Sequence, residues 1–486
     1  MAHEYDIIIL GAGTTAFAGA RIAAAAGKRV LLIEQSQPGG TCVNWGCIPS
    51  KTLIHKAEMY YAARKGMRWG LNLHAGIPDC GTLMPLKEAA VETIRTSHYR
   101  HELESTEGMT LVRGRGRFFS RQEILVDSHN QLFRAPHILI ATGGRPRSIP
   151  LPGLDQVDHL NSYSAMHLPC FPESITILGG GVIALEMGQM FARFGTRVTI
   201  LERGPRLLAE IDERLTEQFK QMLQRDGVEI FCNIEAERVE KVGDKTCLYA
   251  LIDGAEVAFV AERLMLAIGT EPASRGIGLA EIGVATNPAG FITVDSQLRT
   301  SVPGIWAAGD VTGPPMVAPN GAREAQIAVR NMLYPQAGHT IDHRFSPMAV
   351  FVDPEFATVG LTHNQAEAHG YRVVTTYLQL DRVPKAHVMG EMLGGVLLTA
   401  ERGSGKVLGV QMLCPRAADI IQEATLAIRF GLTVTDLATT VHVYPSISDG
   451  LRQAAERNAK EQELLQHSPK IPLFKESLVC RSPEIS

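Results

Sequence analysis

Tyr5-Asp6-Ile7-Ile8-Ile9-Leu10-Gly11-Ala12-Gly13-Thr14-Thr15-Ala16 is the stretch on which the reading of this chain turns. The apolar run predicts a buried strand, the glycines a turn, and the Ala-rich continuation to about Ala26 a helix. A second strand is expected at Arg29–Ile33, ending in Glu34. Gly11 and Gly13 permit a tight turn that lets backbone N–H groups approach a pyrophosphate at the helix N-terminus. Glu34, at the end of the second strand, suits ribose hydroxyls, and the small Ala16 keeps helix and strand close. The same grammar returns at Ile175–Leu178, Gly179-Gly180-Gly181, a helix from Val182 to about Phe194 with Ala184 at the third position, and a strand Arg197–Leu201 ending in Glu202. Gly11 to Glu34 and Gly179 to Glu202 span the same 23 positions (34 − 11 and 202 − 179). One such turn also occurs in proteins that bind nothing there. Two with equal acid spacing predict two dinucleotide sites, one for a flavin and one for a nicotinamide. Glycines Gly179 and Gly181 would cradle the second pyrophosphate. A carboxylate at Glu202 suits a free 2′-hydroxyl and repels a 2′-phosphate, so NADH is favoured. Arg203 and Arg206 keep NADPH as the alternative, although both read more simply as solvated surface residues.

The chain around these units has 486 residues, with 47 Lys plus Arg against 51 Asp plus Glu, a net charge of −4. That balance gives no electrostatic reason to expect nucleic acid or an anionic membrane as partner. Hydrophobic residues at 45% and charged residues at 20% fit a folded protein. No apolar run approaches the roughly 18 residues of a membrane span. No secretory signal is expected ahead of the first strand. Eight cysteines are too few for a disulfide scaffold, so a cytoplasmic enzyme is expected. Each unit closes on an apolar strand and a turn, Ile138–Ile140 with Ala141–Gly144 and Leu264–Leu266 with Ala267–Thr270. Short β-rich runs between about Gly108 and Leu132 predict an antiparallel meander, and the Pro-rich Arg145–Pro152 a hinge. From 346 onward an α+β domain is expected, with strands at Gly395–Leu398 and Val407–Leu413 and helices at about Ala417–Phe430 and Leu451–Glu463.

Residues 39–51 read Gly-Gly-Thr-Cys-Val-Asn-Trp-Gly-Cys-Ile-Pro-Ser-Lys. Cys42 and Cys47 follow the first dinucleotide unit directly, so the pair is a candidate cycling disulfide beside a flavin. A helix starting near Cys47 would lower its thiol pKa. A static disulfide or two inert thiols remain open; zinc would need a second Cys/His pair at usable spacing.

With GGTCVNWGCIPSK, the chain resembles the class I pyridine nucleotide–disulfide oxidoreductases, the flavoproteins that include mercuric reductase, dihydrolipoamide dehydrogenase and glutathione reductase. ATGGRP at 141–146, GGGVIALE at 179–186 and AAGD at 307–310 follow in the same order. The likeness runs over residues 4–456 and is nearest to mercuric reductase, with dihydrolipoamide dehydrogenase next. It implies an α/β fold of two Rossmann-like dinucleotide-binding domains, for FAD and NAD(P), followed by an α+β interface domain. Expected boundaries are 1–148 and 275–345 for the FAD domain, 149–274 for the NAD(P) domain, 346–459 for the interface domain and 460–486 for a C-terminal extension. It also implies a homodimer whose partner chain completes each active site. Cys47 would face the flavin and form charge transfer with it, and Cys42 would exchange with substrate. Lys51 and Glu186 would pair near flavin N5 and orient the nicotinamide. Asp310 would bind the ribityl chain and Glu34 the adenosine ribose. Gly40, Thr41, Thr142, Gly143 and Gly269 join the cofactor-binding set.

The sequence departs from the thiol–disulfide members in one segment. Where they carry a His before Pro, with Glu five residues after that His, this chain has Tyr444-Pro445 and Asp449. A phenol, with its unperturbed pKa near 10, is a poor base at neutral pH. Mercuric reductase resembles this chain in having Tyr there, and Leu380-Asp381-Arg382-Val383-Pro384-Lys385-Ala386 looks like its interface segment. That enzyme ends in a vicinal Cys pair, whereas this tail carries only Cys480. The tail from about Lys460 is expected to extend past the family's usual end, and an N-terminal Cys-x-x-Cys capture domain is expected to be absent. His442, if 442–444 is extended, could stand near the missing base, or be a packed or solvated histidine. Cys80, Cys170, Cys232, Cys247 and Cys414 have no partner spacing and read as small buried hydrophobes. No permanent metal is expected. The expected reaction passes electrons from NAD(P)H through flavin and Cys42–Cys47 to a metal ion held by those thiols, with Cys480 a further candidate ligand; Hg(II) leads. The alternatives are a dihydrolipoamide dehydrogenase-like disulfide/dithiol oxidoreductase and a redox sensor that does not turn over.

Overall fold

The computed structural model describes residues 3–464. They form two compact units that divide after Ala357. The first unit holds two parallel five-stranded sheets. In one, the order is Ile305–Ala307, His137–Ile140, Ile7–Leu10, Val30–Glu34, Met109–Arg113. In the other it is His159–Leu160, Arg263–Leu266, Ser174–Leu178, Arg197–Leu201, Glu229–Phe231. A strand alternates its side chains between faces. Accordingly Ile7, Ile9, Val30 and Leu32 pack with Phe17 and Ala325 in one core, and Ile8, Leu10, Leu31 and Ile33 pack with Phe118 and Ile124 in another. Burial on both faces is why these strands read as unbroken apolar runs.

Both glycine turns are built alike. The amides of Gly11 and Gly179 donate to Ile33 O and Leu201 O, each at 2.8 Å. Their φ angles are +110° and +116°, and a Cβ would lie 2.3 Å from Ala141 O and 2.4 Å from Ala267 O. Only glycine fits that approach. Helices Thr14–Ala25 and Val182–Arg193 leave these turns with matching Gly13 and Gly181 caps, both at φ −86°.

Two local expectations change. Met109–Arg113 joins the first parallel sheet as its edge, so the antiparallel meander is Gly116–Ser120, Glu123–Val126 and Gln131–Arg134. A short β run has the same pattern in either pairing, and the neighbouring Val30–Glu34 decides it. The start of the Pro-rich stretch is strand rather than hinge: Gly144–Pro146 pairs antiparallel with Thr270–Pro272, zipping together the two chain crossings between the sheets. In the second unit, Val407–Cys414, Gly395–Glu401 and Val373–Gln379 form an antiparallel sheet. Its helices include Ala417–Phe430, Val434–Thr439 and Asp449–Glu461.

Candidate redox site

At the first turn the chain closes on itself. A Cβ on Gly40 would lie 2.7 Å from Gly13 Cα, and Gly39 N donates to Ala12 O at 2.8 Å. Glu34 accepts from Ala12 N and Ser36 N, both at 2.8 Å, while its burial pushes its carboxyl above the usual range. Thr142 Oγ1 is buried with no hydrogen-bond partner among the described residues. Asp310 is held above the usual carboxylate range by burial and then by Glu324, whose Oε2 accepts from Gly309 N at 2.7 Å. A close-packed glycine cradle, an orphaned hydroxyl and an acid on its second strand fit a dinucleotide such as FAD. At the second turn Glu202 folds back the same way, accepting from Gly180 N and Gly204 N. Arg203 is exposed, and Arg206 donates to Ala209 O at 2.9 Å.

Cys42 lies in the short helix Gly40–Asn44, and Cys47 is the first residue of the 19-residue helix Cys47–Lys65. Both are thiols here. A hydrogen bond from Cys42 lowers the Cys47 thiol to about 7 against the opposing effect of burial; Lys51 and the helix N-terminus add to the lowering. That same bond, with burial, pushes the Cys42 thiol well above the ordinary range. Lys51, one turn on, brings its Nζ 2.6 Å from Glu186 Oε2 on the helix Val182–Arg193. Glu186 is buried, and its other oxygen accepts from Phe351 N at 2.9 Å. The Lys51 ammonium also lies 4.8 Å from the Phe351 ring centroid. Lys51, Glu186 and Phe351 thus become neighbours only in the folded unit, and of the three Phe351 is the one that local sequence could not have found.

Gln189 and Arg193, on the same face of that helix as Glu186, extend the grip. Asp353 N donates to Gln189 Oε1 at 2.8 Å, and Arg193 pairs with Asp353 at 2.9 Å and with buried Asp226 at 2.8 Å. The Cys42–Cys47 loop has further supports that the sequence did not reveal. Trp45 stacks on Tyr163 at 5.4 Å, and Thr41 Oγ1 meets Tyr163 OH at 2.7 Å.

In the second unit, the His442 imidazole is fully engaged. Nε2 lies 2.8 Å from Glu423 Oε1 and Nδ1 2.9 Å from Thr440 O. Tyr444 is 72% exposed within the chain. Asp449 is buried at the start of its helix, bonded to Arg452 at 2.6 Å and Gln453 at 2.7 Å. Burial raises its carboxyl, but these bonds together carry it below the usual range.

The reading of the remaining cysteines needs one correction. Cys80 and Cys170 are not isolated buried thiols: they form a disulfide, Cys80 half-buried and Cys170 exposed. Ninety residues of separation leave no motif from which to read the pair. Cys247 and Cys414 are buried and Cys232 is half-buried. Cys480 lies outside the described residues. Among those residues no cluster of three or more His, Cys, Asp or Glu could hold a metal, and no helix is long and apolar enough to cross a membrane.

Residues 5–325 match the family described as pyridine nucleotide-disulphide oxidoreductase, and residues 346–455 match its dimerisation domain. The chain is 36% identical over 452 residues to the mercuric reductase of Staphylococcus aureus, covering 93% of this chain and 82% of that protein. It is 32% identical over 462 residues to the dihydrolipoyl dehydrogenase of Thermus scotoductus, covering 94% and 98%. Among solved structures it is similar to the HOCl-induced flavoprotein disulfide reductase RclA from Escherichia coli, with TM-score 0.82, 29% identity and coverage of 93% and 99%. A Cu(II) complex of RclA gives TM-score 0.83 at 28% identity, covering 94% and 99%.

Proposed function

Because the chain belongs to the pyridine nucleotide-disulphide oxidoreductases, which use FAD and a pyridine nucleotide, we propose that it reduces a soft metal ion held by Cys42 and Cys47, Hg(II) foremost. When bound, FAD would supply the two-electron chemistry that links a reduced nicotinamide to the Cys42–Cys47 pair. Gly11, Gly13, Gly40, Thr41, Thr142, Gly143, Glu34 and Asp310 would hold the FAD. Gly179, Gly181, Glu202 and Gly269 would hold the nicotinamide dinucleotide. The Glu202 carboxylate favours NADH, with NADPH the alternative. Cys47 supplies a thiolate near neutral pH and Cys42 the exchanging thiol, which loses its proton as the metal binds. Lys51 keeps a positive charge beside that thiolate and is itself held by Glu186. Overall, NADH and Hg(II) give NAD⁺, a proton and Hg(0), and the sulfurs end as they began.

The observation that carries this choice of substrate is at 442–449. Tyr444 stands where a proton-shuttling His would be, and both nitrogens of the nearby His442 are engaged. Reducing a metal needs no proton delivered to a leaving thiol, whereas opening a disulfide does. The homodimer is supported by the dimerisation-domain match, and the partner's Tyr444 would complete the site. A cytoplasmic setting suits a dithiol that must stay reducible. One panel tests the reading: steady-state oxidation of NADH and NADPH with Hg(II), Cu(II), lipoamide and glutathione disulfide. Hg(II)-dependent turnover, faster with NADH, is expected. Turnover with lipoamide above that with metal overturns the substrate, and none with any acceptor leaves the sensor reading.

A further inference from the structure

We propose that Cys80–Cys170 is a second thiol–disulfide site, one that exchanges with small-molecule dithiols and disulfides and adjusts the Cys42–Cys47 loop. The bridge joins two arms whose Cα atoms are 5.3 Å apart at that point. One arm is the helix Cys80–Arg95. At its far end Arg95 Nε donates to Asn44 Oδ1 at 2.8 Å, and Asn44 in turn holds Pro38 O at 3.1 Å and Gly40 O at 2.9 Å. The other arm is the segment before Cys170, whose Tyr163 bonds Thr41 and stacks on Trp45. Between the two, buried Lys87 donates to Met166 O. Both arms therefore end on residues 41–45, next to or between the two redox cysteines, and the disulfide is the covalent tie at their outer ends.

The chemistry at the bridge is open to solvent. A dithiol's thiolate attacks the exposed Cys170 sulfur, forming a mixed disulfide and releasing Cys80 as a thiolate at the helix N-terminus, which stabilises it. The dithiol's second sulfur then displaces Cys170. The dithiol ends as a cyclic disulfide, two electrons and two protons pass to Cys80 and Cys170, and a small-molecule disulfide reverses the step. In a reducing compartment, disulfides of this kind are more often sensing than structural.

The coupling rests on the reading of Cys42–Cys47 as a redox pair, and the experiment separates the two. FAD-loaded full-length protein is equilibrated at graded ratios of reduced to oxidised dithiothreitol, and its cysteines are mapped by differential alkylation and mass spectrometry. A linked Cys80–Cys170 peptide that opens and closes reversibly is expected. With it, the Cys42 alkylation rate and the Cys42–Cys47 midpoint ratio should shift by roughly five-fold, the low end of inter-site coupling. The Cys80→Ser/Cys170→Ser double variant should hold the shifted values at every poise. A wild-type bridge that opens with no change at Cys42 overturns the proposal without recourse to the variant, as does the absence of any linked Cys80–Cys170 peptide. A Cys42–Cys47 link that never forms instead overturns the redox-pair reading, and the coupling with it.

Discussion

A single hydrogen bond divides labour between the two cysteines of the proposed redox pair. Cys42 donates it, so Cys47 is the sulfur that ionises first, near pH 7. Sign follows directly: the thiolate of the two-electron-reduced enzyme fades as pH falls through that value. Its long-wavelength absorbance with flavin should fade in step, and Cys47→Ala should abolish it; a variant that keeps the band overturns the assignment. Lys51→Met removes the neighbouring positive charge and should move the midpoint upward, read in the same titration. Tyr444 offers a second test at this scale. If its phenol is why disulfides are poor substrates, Tyr444→His should raise lipoamide turnover, by up to the roughly 10²–10⁴-fold that general acid–base catalysis contributes. No gain would mean that the base position is not the limiting defect.

The helix Val182–Arg193 shows how an element holds a site that its own sequence names only in part. Glu186 was legible because its motif places it near Lys51. Gln189 and Arg193 gave no signal, because their partners Asp226 and Asp353 lie far along the chain. The same contrast runs through the fold. Gly11 to Glu34 is one contiguous strand–turn–helix–strand, so its spacing exposes the sheet and the cofactor cradle at once. Tyr163 with Thr41, Phe351 with Glu186 and Cys80 with Cys170 are meetings across 90 or more residues, where no periodicity or motif records the contact. Arg193 is also the element's chief structural liability. It is 3% exposed and paired with an equally buried Asp226. Arg193→Met would leave that carboxylate buried without its cation, at a cost of about 3–5 kcal/mol. Chemical unfolding should show the loss, and Arg193→Met/Asp226→Asn should recover part of it.

At the scale of the whole molecule, the second unit exposes apolar groups that a monomer has no use for. Leu426, Phe430, Val441, Val443 and Tyr444 are 53%, 68%, 94%, 79% and 72% exposed. Patches of this kind mark interfaces, and these residues fall within the dimerisation-domain match. In a twofold dimer a residue near the interface serves its partner and is served in return. If the proposed assembly is right, the partner's Tyr444 works with this chain's Cys42 and Cys47. If that phenol is also a required ligand or hydrogen-bond donor to the thiol-bound metal, two inactive variants become complementary. Cys47→Ala lacks the sulfur but keeps its phenol, and Tyr444→Phe keeps both sulfurs but lacks the phenol. Random hybrid dimers make up half of a coexpressed population, and each has one intact site of two, so about one quarter of wild-type metal-dependent turnover should return. Purified variants mixed without subunit exchange should show none. If the phenol served the sulfurs of its own chain, no hybrid would hold an intact site, and coexpression would restore nothing.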